Sequence, residues 1–249
     1  MSHHPDSTRL NKAISDNGYC SRRQADQLIT QGVVTINDQV AQLGDRVMPG
    51  DVIKINGALL SAPSEDVYIM LNKPVGITCT TDLSIEGNVV DFIKHPQRIF
   101  HVGRLDKPSE GLLLMTNNGD IVNKILRAGN LHEKEYIVYV DRPISENFLK
   151  RMRTGIPILD TVTKPCRVER ISRMSFKIIL VQGLNRQIRR MCEYLEYDVV
   201  RLNRVRLMHL HLGDLPLGQW RDLTQKEVND LKATIADSDN SPFADHDAD

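Results

Sequence analysis

A short polar stretch at residues 61–66, Ser-Ala-Pro-Ser-Glu-Asp, has no apolar period and divides the 249-residue chain unequally. A segment of this composition has little to bury, so it reads as a linker. It separates a small N-terminal unit, expected at 1–62, from a large one, expected at 66–236. Residues 237–249 carry five Asp and no Lys or Arg. They lack periodicity and are expected to be a disordered acidic tail. At 41% hydrophobic residues the chain can bury a sizeable core. It has no run of about 18 apolar residues, so no membrane span is expected. The polar start, Met1–Ser7, lacks the apolar region of a secretion signal. Cys20, Cys79, Cys166 and Cys192 are scattered, with neither a CxxC pair nor zinc spacing. Free thiols in a reducing cytoplasm, and no metal, are the expectation.

The small unit reads as helix, helix and strands. Leu10, Ala13 and Ile14 have helical spacing, and Gly18-Tyr19 breaks it. Ser21 followed by Gln24 is a capping-box pattern. Ala25, Leu28 and Ile29 continue an apolar stripe, and Gly32 sits where a helix-ending glycine belongs. Val33–Ile36 and Val52–Ile55 read as strands, with turns at Asn37-Asp38, Pro49-Gly50-Asp51 and Asn56-Gly57. In the large unit, Ile69–Leu71 and Leu112–Met115 are buried-strand candidates, and Tyr136–Val140 alternates as a strand. Asp120 is expected to cap a short helix ended by Gly129, and Phe148 and Met152 lie in another. Ser175–Val181 is a strand leading through Gly183-Leu-Asn185 into a helix. The fold class is therefore α+β, with a mixed, largely antiparallel sheet in the second unit.

Net charge is zero overall. Removing the tail leaves 32 basic against 27 acidic residues, and Lys164–Arg206 holds eleven Lys/Arg against four Asp/Glu. Concentrated positive charge suits a phosphate-backbone partner, although a solvated charged face has the same composition.

Four segments could carry chemistry. In the helix after Gly183, Ile188, Met191, Cys192 and Leu195 share one face. Arg186 and Arg190 point away from it, toward solvent or phosphate. Arg189 falls on its border, where a guanidinium needs an anionic partner, structural or otherwise. Gly103-Arg104-Leu105-Asp106-Lys107-Pro108-Ser109-Glu110-Gly111 places an Asp in a loop before a very apolar strand. That suits a catalytic carboxylate or a turn cap. Tyr136, in Lys134-Glu135-Tyr136, suits stacking on a base or plain strand packing. Asn72-Lys73-Pro74-Val75-Gly76 reads as a turn after a strand.

In their order along the chain, Asn72–Gly76, Gly103–Asp106, Lys134–Tyr136 and Gln187–Met191, the four segments resemble the bacterial ribosomal pseudouridine synthases. Arg9-Leu10-Asn11-Lys12, Ser21-Arg22-Arg23-Gln24-Ala25 and Pro49-Gly50-Asp51 make the first 57 residues similar to an S4-type RNA-binding domain. The pairing resembles the subfamily named for small-subunit uridine modification and its large-subunit relatives, across roughly residues 9–232. Within it, Gly129–Tyr136 and Val181–Cys192 are most similar to the branch named for uridine 2604 of 23S rRNA. Many relatives place an aromatic residue and His ahead of the Gln-x-Arg motif, where this chain has Gly183-Leu-Asn-Arg186.

The resemblance implies that Asp106 is the essential carboxylate, that Tyr136 stacks on the uracil and that Arg189 pairs with Asp106. It implies that Leu180 packs beside the base and that Arg104 enters the space left by the extruded nucleotide. Arg9, Lys12, Arg22, Arg23, Lys73, Lys134, Arg186 and Arg190 are the expected RNA contacts. The implied partner is rRNA or a ribosomal assembly particle, met by a monomer, with the same chemistry on another rRNA site or on a tRNA as the alternative. The implied reaction breaks N1–C1′ of a flipped-out uridine, turns the base and joins C5 to C1′, with no redox change and no cofactor. Positive charge builds at the sugar carbon, as in glycosidases. The carboxylate could attack C1′ or remove the C2′ proton. Two other classes use parts of this pattern. A non-catalytic RNA-binding assembly factor would not need Asp106, Tyr136 and Arg189 together. A glycoside hydrolase using Asp106 with Glu110 would leave the N-terminal unit unexplained.

Overall fold

The computed structural model describes residues 6–61 and 65–238. Residues 62–64 of the expected linker and 239–249 of the expected disordered tail lie outside the described residues. Two compact units are present: Met1–Asp66 with Pro96–Arg98 and Asn117–Gly119, and the remainder of the chain.

The first unit holds β1 (Thr8–Arg9), α1 (Leu10–Asp16), α2 (Arg22–Thr30), β2 (Val34–Ile36), β3 (Gln39–Val40), β4 (Arg46–Val47), β5 (Ile53–Ile55) and β6 (Ala58–Leu59). The Ser21 hydroxyl accepts the Gln24 N–H, and the Gln24 side chain accepts the Ser21 N–H, so the capping box opens α2 as its sequence predicts. Gly32 follows the helix at φ +72°. Asn37-Asp38 and Asn56-Gly57 take positive φ in the turns of two hairpins, which gives the antiparallel order β3-β2-β5-β6. Leu10, Ile14, Ala25, Ile29, Val34 and Ile55 form the core between helices and strands.

The second unit follows as β7 (Tyr68–Lys73), α3 (Val89–Ile93), β8 (Phe100–Val102), β9 (Glu110–Thr116), α4 (Asp120–Leu126) and β10 (Lys134–Val140). Next come α5 (Glu146–Thr154), β11 (Pro157–Ile158), β12 (Thr161–Val162), β13 (Arg167–Ser172), β14 (Ser175–Leu180) and α6 (Gln187–Tyr194). It ends with β15 (Val199–Leu207), β16 (Leu210–His211), β17 (Trp220–Asp222) and α7 (Gln225–Thr234). Gly129 does not cap α4. That helix stops at Leu126, and Gly129 lies in a separate 3-10 turn, Ala128–Asn130.

Nine strands form one sheet in the order β13-β14-β10-β15-β9-β7-β17, with β8 on β9 and β16 on β15. Its pairs are antiparallel except β9 with β15, where Glu110 faces Asn203 and Gly111 faces Arg204. β7 and β9 are buried along their whole length, because each side of the sheet is covered there. Ile69, Leu71, Leu113 and Met115 pack with Val89 and Ile93 of α3. Met70, Leu112 and Leu114 pack with Ile121 and Ile125 of α4 and Leu231 of α7. Continuous apolar strands are what double-sided burial demands. Further along the sheet, Val138, Phe176, Ile178 and Leu202 pack under Phe148 and Met152 of α5 and Ile188 and Met191 of α6. Tyr136 packs against both this cluster and the one under α3.

Gly111 closes the parallel seam. It takes φ +107°, and a Cβ there would overlap Asn203 Oδ1 and the Arg204 carbonyl oxygen and lie 2.7 Å from the Arg204 nitrogen. The seam brings the loop ahead of β9 close to the strand that bears Tyr136, because β15 is bonded to both.

Candidate active site

Asp106 lies in the loop between β8 and β9, with its side chain one-third exposed. The loop is held at almost every residue. Gly103 turns it at φ +71°. Leu105 is buried, and its N–H donates to the Cys79 thiol at 3.4 Å. Ser109 N–H donates back to the Asp106 carbonyl at 2.9 Å. Gly76 N–H donates to the Lys107 carbonyl at 2.8 Å, which ties the loop to the turn after β7.

Lys73 supplies the firmest tie. Its side chain is fully buried, and its ammonium donates to the carbonyls of Ser109 (2.7 Å), Pro74 (3.0 Å) and Asp106 (3.3 Å). Burial lowers its pKa, against the smaller opposing pull of Cys79, Asp106 and Glu110. The expectation of Lys73 as an RNA contact is therefore corrected: a lysine with all three donors spent on buried carbonyls has none for phosphate. Lys134 is corrected as a surface phosphate contact for burial alone, since its donors are not spent in the same way. It is 6% exposed and faces the His132 carbonyl rather than solvent.

Arg189 enters from α6, whose apolar residues Ile188, Met191 and Cys192 are buried as their spacing predicts. Its Nε lies 3.8 Å from Asp106 Oδ2. One Nη donates to the Pro108 carbonyl (3.0 Å) and the Ser109 hydroxyl (3.2 Å), and the other to the Val199 carbonyl (3.2 Å). Nε is buried with no hydrogen-bond partner among the described residues, so its one N–H is left beside the carboxylate. Burial is the main influence lowering the Arg189 pKa, and Asp106 opposes it.

Tyr136 is half-buried on β10, opposite Ile178 of β14 and Arg204 of β15. Leu180 is buried at the end of β14, opposite Lys134. Arg104 is exposed beside Asp106. Arg186 opens α6 in the left-handed region and is exposed, and Arg190 donates to Asn185 through its backbone oxygen (3.1 Å) and Oδ1 (3.2 Å). In the other unit Arg9, Arg22 and Arg23 are exposed, and Lys12 bonds Asp16 at 2.5 Å. Sequence reasoning passed over Ser109, Cys79 and Gly111, which hold the loop and its strand.

The basic segment 164–206 is less available than its composition suggests. Arg206 is paired with Glu133 and Glu135 (2.9 Å each), Arg201 with Glu110 (2.5 Å), Arg170 with Glu146 (2.9 Å) and Lys177 with Glu169 (2.7 Å). Arg167 also pairs with Glu133, and Arg204 is buried. The Arg201 pair occupies the buried Glu110 carboxylate, which removes it as the second acid of a glycosidase. Among the described residues no group of His, Cys, Asp and Glu could hold a metal, and no helix is long and apolar enough to cross a membrane.

A carboxylate on a rigidly held loop, beside an arginine and within a tyrosine-bearing mixed sheet, defines a class that comparison with known proteins identifies. Residues 67–194 match the RNA pseudouridylate synthase family, and residues 8–53 match the S4 domain. The chain belongs to the RNA pseudouridylate synthase family and is an RNA pseudouridine synthase, an isomerase with an RNA substrate. It is 56% identical over 237 residues to the Dual-specificity RNA pseudouridine synthase RluF of Escherichia coli (strain K12), covering 94% of this chain and 82% of that protein. It is 36% identical over 244 residues to the Ribosomal large subunit pseudouridine synthase B of Bacillus subtilis (strain 168), covering 94% and 99%. A crystal structure of a pseudouridylate synthase superposes with a TM-score of 0.67 at 31% identity, covering 90% of this chain and 99% of that one.

Proposed function

We propose that Asp106 acts at the ribose of a flipped-out uridine in 23S rRNA, at the position-2604 type of site, with Arg189 keeping the carboxylate aimed. The observation that carries this reading is the Arg189 guanidinium, which lies beside the carboxylate while also bonding the loop that bears it. The guanidinium fixes where the carboxylate points, which is what answering positive charge at C1′ requires. Tyr136 would stack on the base, Leu180 would pack beside it and exclude water, and Arg104 would fill the vacated stack. The large-subunit target is supported by the similarity of residues 129–136 and 181–192 to that branch and by the name of the Bacillus subtilis relative. Incubating the purified chain with 23S rRNA fragments and mapping pseudouridine tests it. So does mapping total RNA from cells with and without the gene. Conversion at a different site alone would reject the assignment.

We infer further that residues 1–62 form an RNA-binding domain, that 66–236 form the catalytic domain, and that the protein works as a cytoplasmic monomer. Arg22 and Arg23 support the first point: they are exposed in the first turn of a capped helix, where side chains and free N–H groups can meet phosphate together. The double change Arg22→Ala/Arg23→Ala is expected to weaken binding and reduce the salt slope by about one to two units. Single-turnover chemistry at saturating enzyme should stay unchanged. Filter binding across a salt series checks this, and an unaltered slope would count against it.

Arg189 and Arg190 should separate in the same way. Arg189→Ala removes bonds to Pro108, Ser109 and Val199 together with the charge beside Asp106. It is expected to cost about 2–4 kcal/mol of stability and most of the activity. Arg190→Ala loses only surface bonds to Asn185 and is expected to lower RNA affinity alone. Urea unfolding, turnover and binding measured on both variants would reveal any exchange of these effects.

A further inference from the structure

Breaking N1–C1′ sends both bonding electrons to the uracil, so the base leaves as an anion with charge spread over N1, O2 and O4. Asp106 answers the positive sugar carbon and does nothing for this negative charge. Two buried cations on the Tyr136 side of the sheet are placed to do so. Arg204, 3% exposed, pairs with Tyr136 on β10 and with Gly111 on β9. Lys134, 6% exposed, sits two residues before Tyr136 and directly opposite Leu180, and strand partners and alternate residues share a face.

Neither cation is satisfied by the protein. Arg204 donates Nε to the Leu112 carbonyl at 2.7 Å, but one of its buried terminal nitrogens has no hydrogen-bond partner among the described residues. The Lys134 ammonium has a single long bond, 3.5 Å, to the His132 carbonyl. The glutamates beside Lys134 are turned to other partners, Glu133 to Arg206 and Arg167, and Glu135 to Arg206. Across the ladders Lys134 meets Leu180 and Leu207, which carry no charge. The charged and titratable groups near it are Arg204 and the preceding His132, whose pKa is itself lowered by burial and then by Lys134. Burial first and Arg204 second push the Lys134 pKa down to about 8. Two buried like charges without an acid are costly, and the cost falls when an anion arrives.

We propose that Lys134 and Arg204 form an electropositive wall that stabilises the detached uracil while it holds the glycosidic electron pair. The proposal rests on Asp106 acting at the ribose. N1–C1′ breaks with its pair going to N1, and the base turns within the pocket. C5 then bonds C1′, the C5 proton leaves and N1 is protonated, which restores the charge balance. The wall acts only between the first and last of these events and transfers no proton itself.

The sign of the pH effect follows. Lys134 carries its charge below about pH 8 and loses it above, so the chemical step should slow as pH rises through that value. The test is the single-turnover rate constant of the full chain on an RNA stem-loop bearing the target uridine, from about pH 6.5 to about pH 9. The wild-type rate is expected to fall on the alkaline side. Lys134→Arg keeps the charge and should remove that fall. Lys134→Met should run about 100-fold slower with no alkaline fall, and both should bind RNA within a few-fold of wild type. A wild-type rate that does not fall, an unchanged fall in Lys134→Arg, or a wild-type rate in Lys134→Met would each overturn the wall. If one variant fails to fold, the other decides. Activity in Asp106→Asn would instead overturn the reading beneath it.

Discussion

Asp106→Asn is expected to lower the single-turnover rate of pseudouridine formation by at least about 10³-fold, equivalent to about 4 kcal/mol of transition-state stabilisation. The substitution preserves shape and removes the charge. The loop should keep its form, because its ties run through the backbone of Asp106, Lys107, Pro108 and Ser109 and through the Ser109 hydroxyl. Asparagine cannot neutralise positive charge at C1′ as an ionised carboxylate does, whether by attack or by taking the C2′ proton. RNA affinity should remain within a few-fold, since most of it comes from phosphate contacts. Pseudouridine mapping beside filter binding separates the two quantities. Near-normal turnover would remove Asp106 from the chemistry.

Gly111→Ala is expected to be the most damaging small substitution in the second unit. Two penalties act together. A β-carbon would press on Asn203 and on the Arg204 backbone across the seam, and φ +107° is strained for any L side chain. Because the obstacle is backbone in a sheet bonded on both sides, local relaxation is limited. The expected loss exceeds about 4 kcal/mol, in the range reserved for named structural failures. Urea denaturation measures it, or insolubility on expression where the loss is complete. A variant with the wild-type midpoint would mean that β9 and β15 do not approach as closely as described.

Local patterning made much of the fold legible. The Ser21–Gln24 box, the Asn-Gly and Asn-Asp turns and the apolar runs in β7 and β9 each depend on residues near in sequence, and each formed as read. β15 did not announce itself. Its sequence, Val-Val-Arg-Leu-Asn-Arg-Val-Arg-Leu, looks like an exposed basic segment. It is a central strand because Glu110, the Leu112 carbonyl, Glu133 and Glu135 receive its guanidinium groups from distant parts of the chain. Lys73 and Lys134 were misread for a related reason, since whether a lysine faces water or a carbonyl depends on what folds over it. Arg189 was readable because helical phase alone set it at the border of an apolar face.

The ties around Asp106 also separate what grips from what reacts. Lys73, Gly76, Cys79 and Arg189 hold the loop through carbonyl oxygens, a backbone N–H and a hydroxyl, none of which changes charge during the isomerisation. Among the described residues the carboxylate itself has one ion-pair partner, Arg189, at 3.8 Å. In the proposed reaction it can lose its charge to carbon or to a proton and regain it while the scaffold stays clamped. Wear on the chemistry need not become wear on the frame, so each turnover should return the loop to its starting position without refolding any part of it.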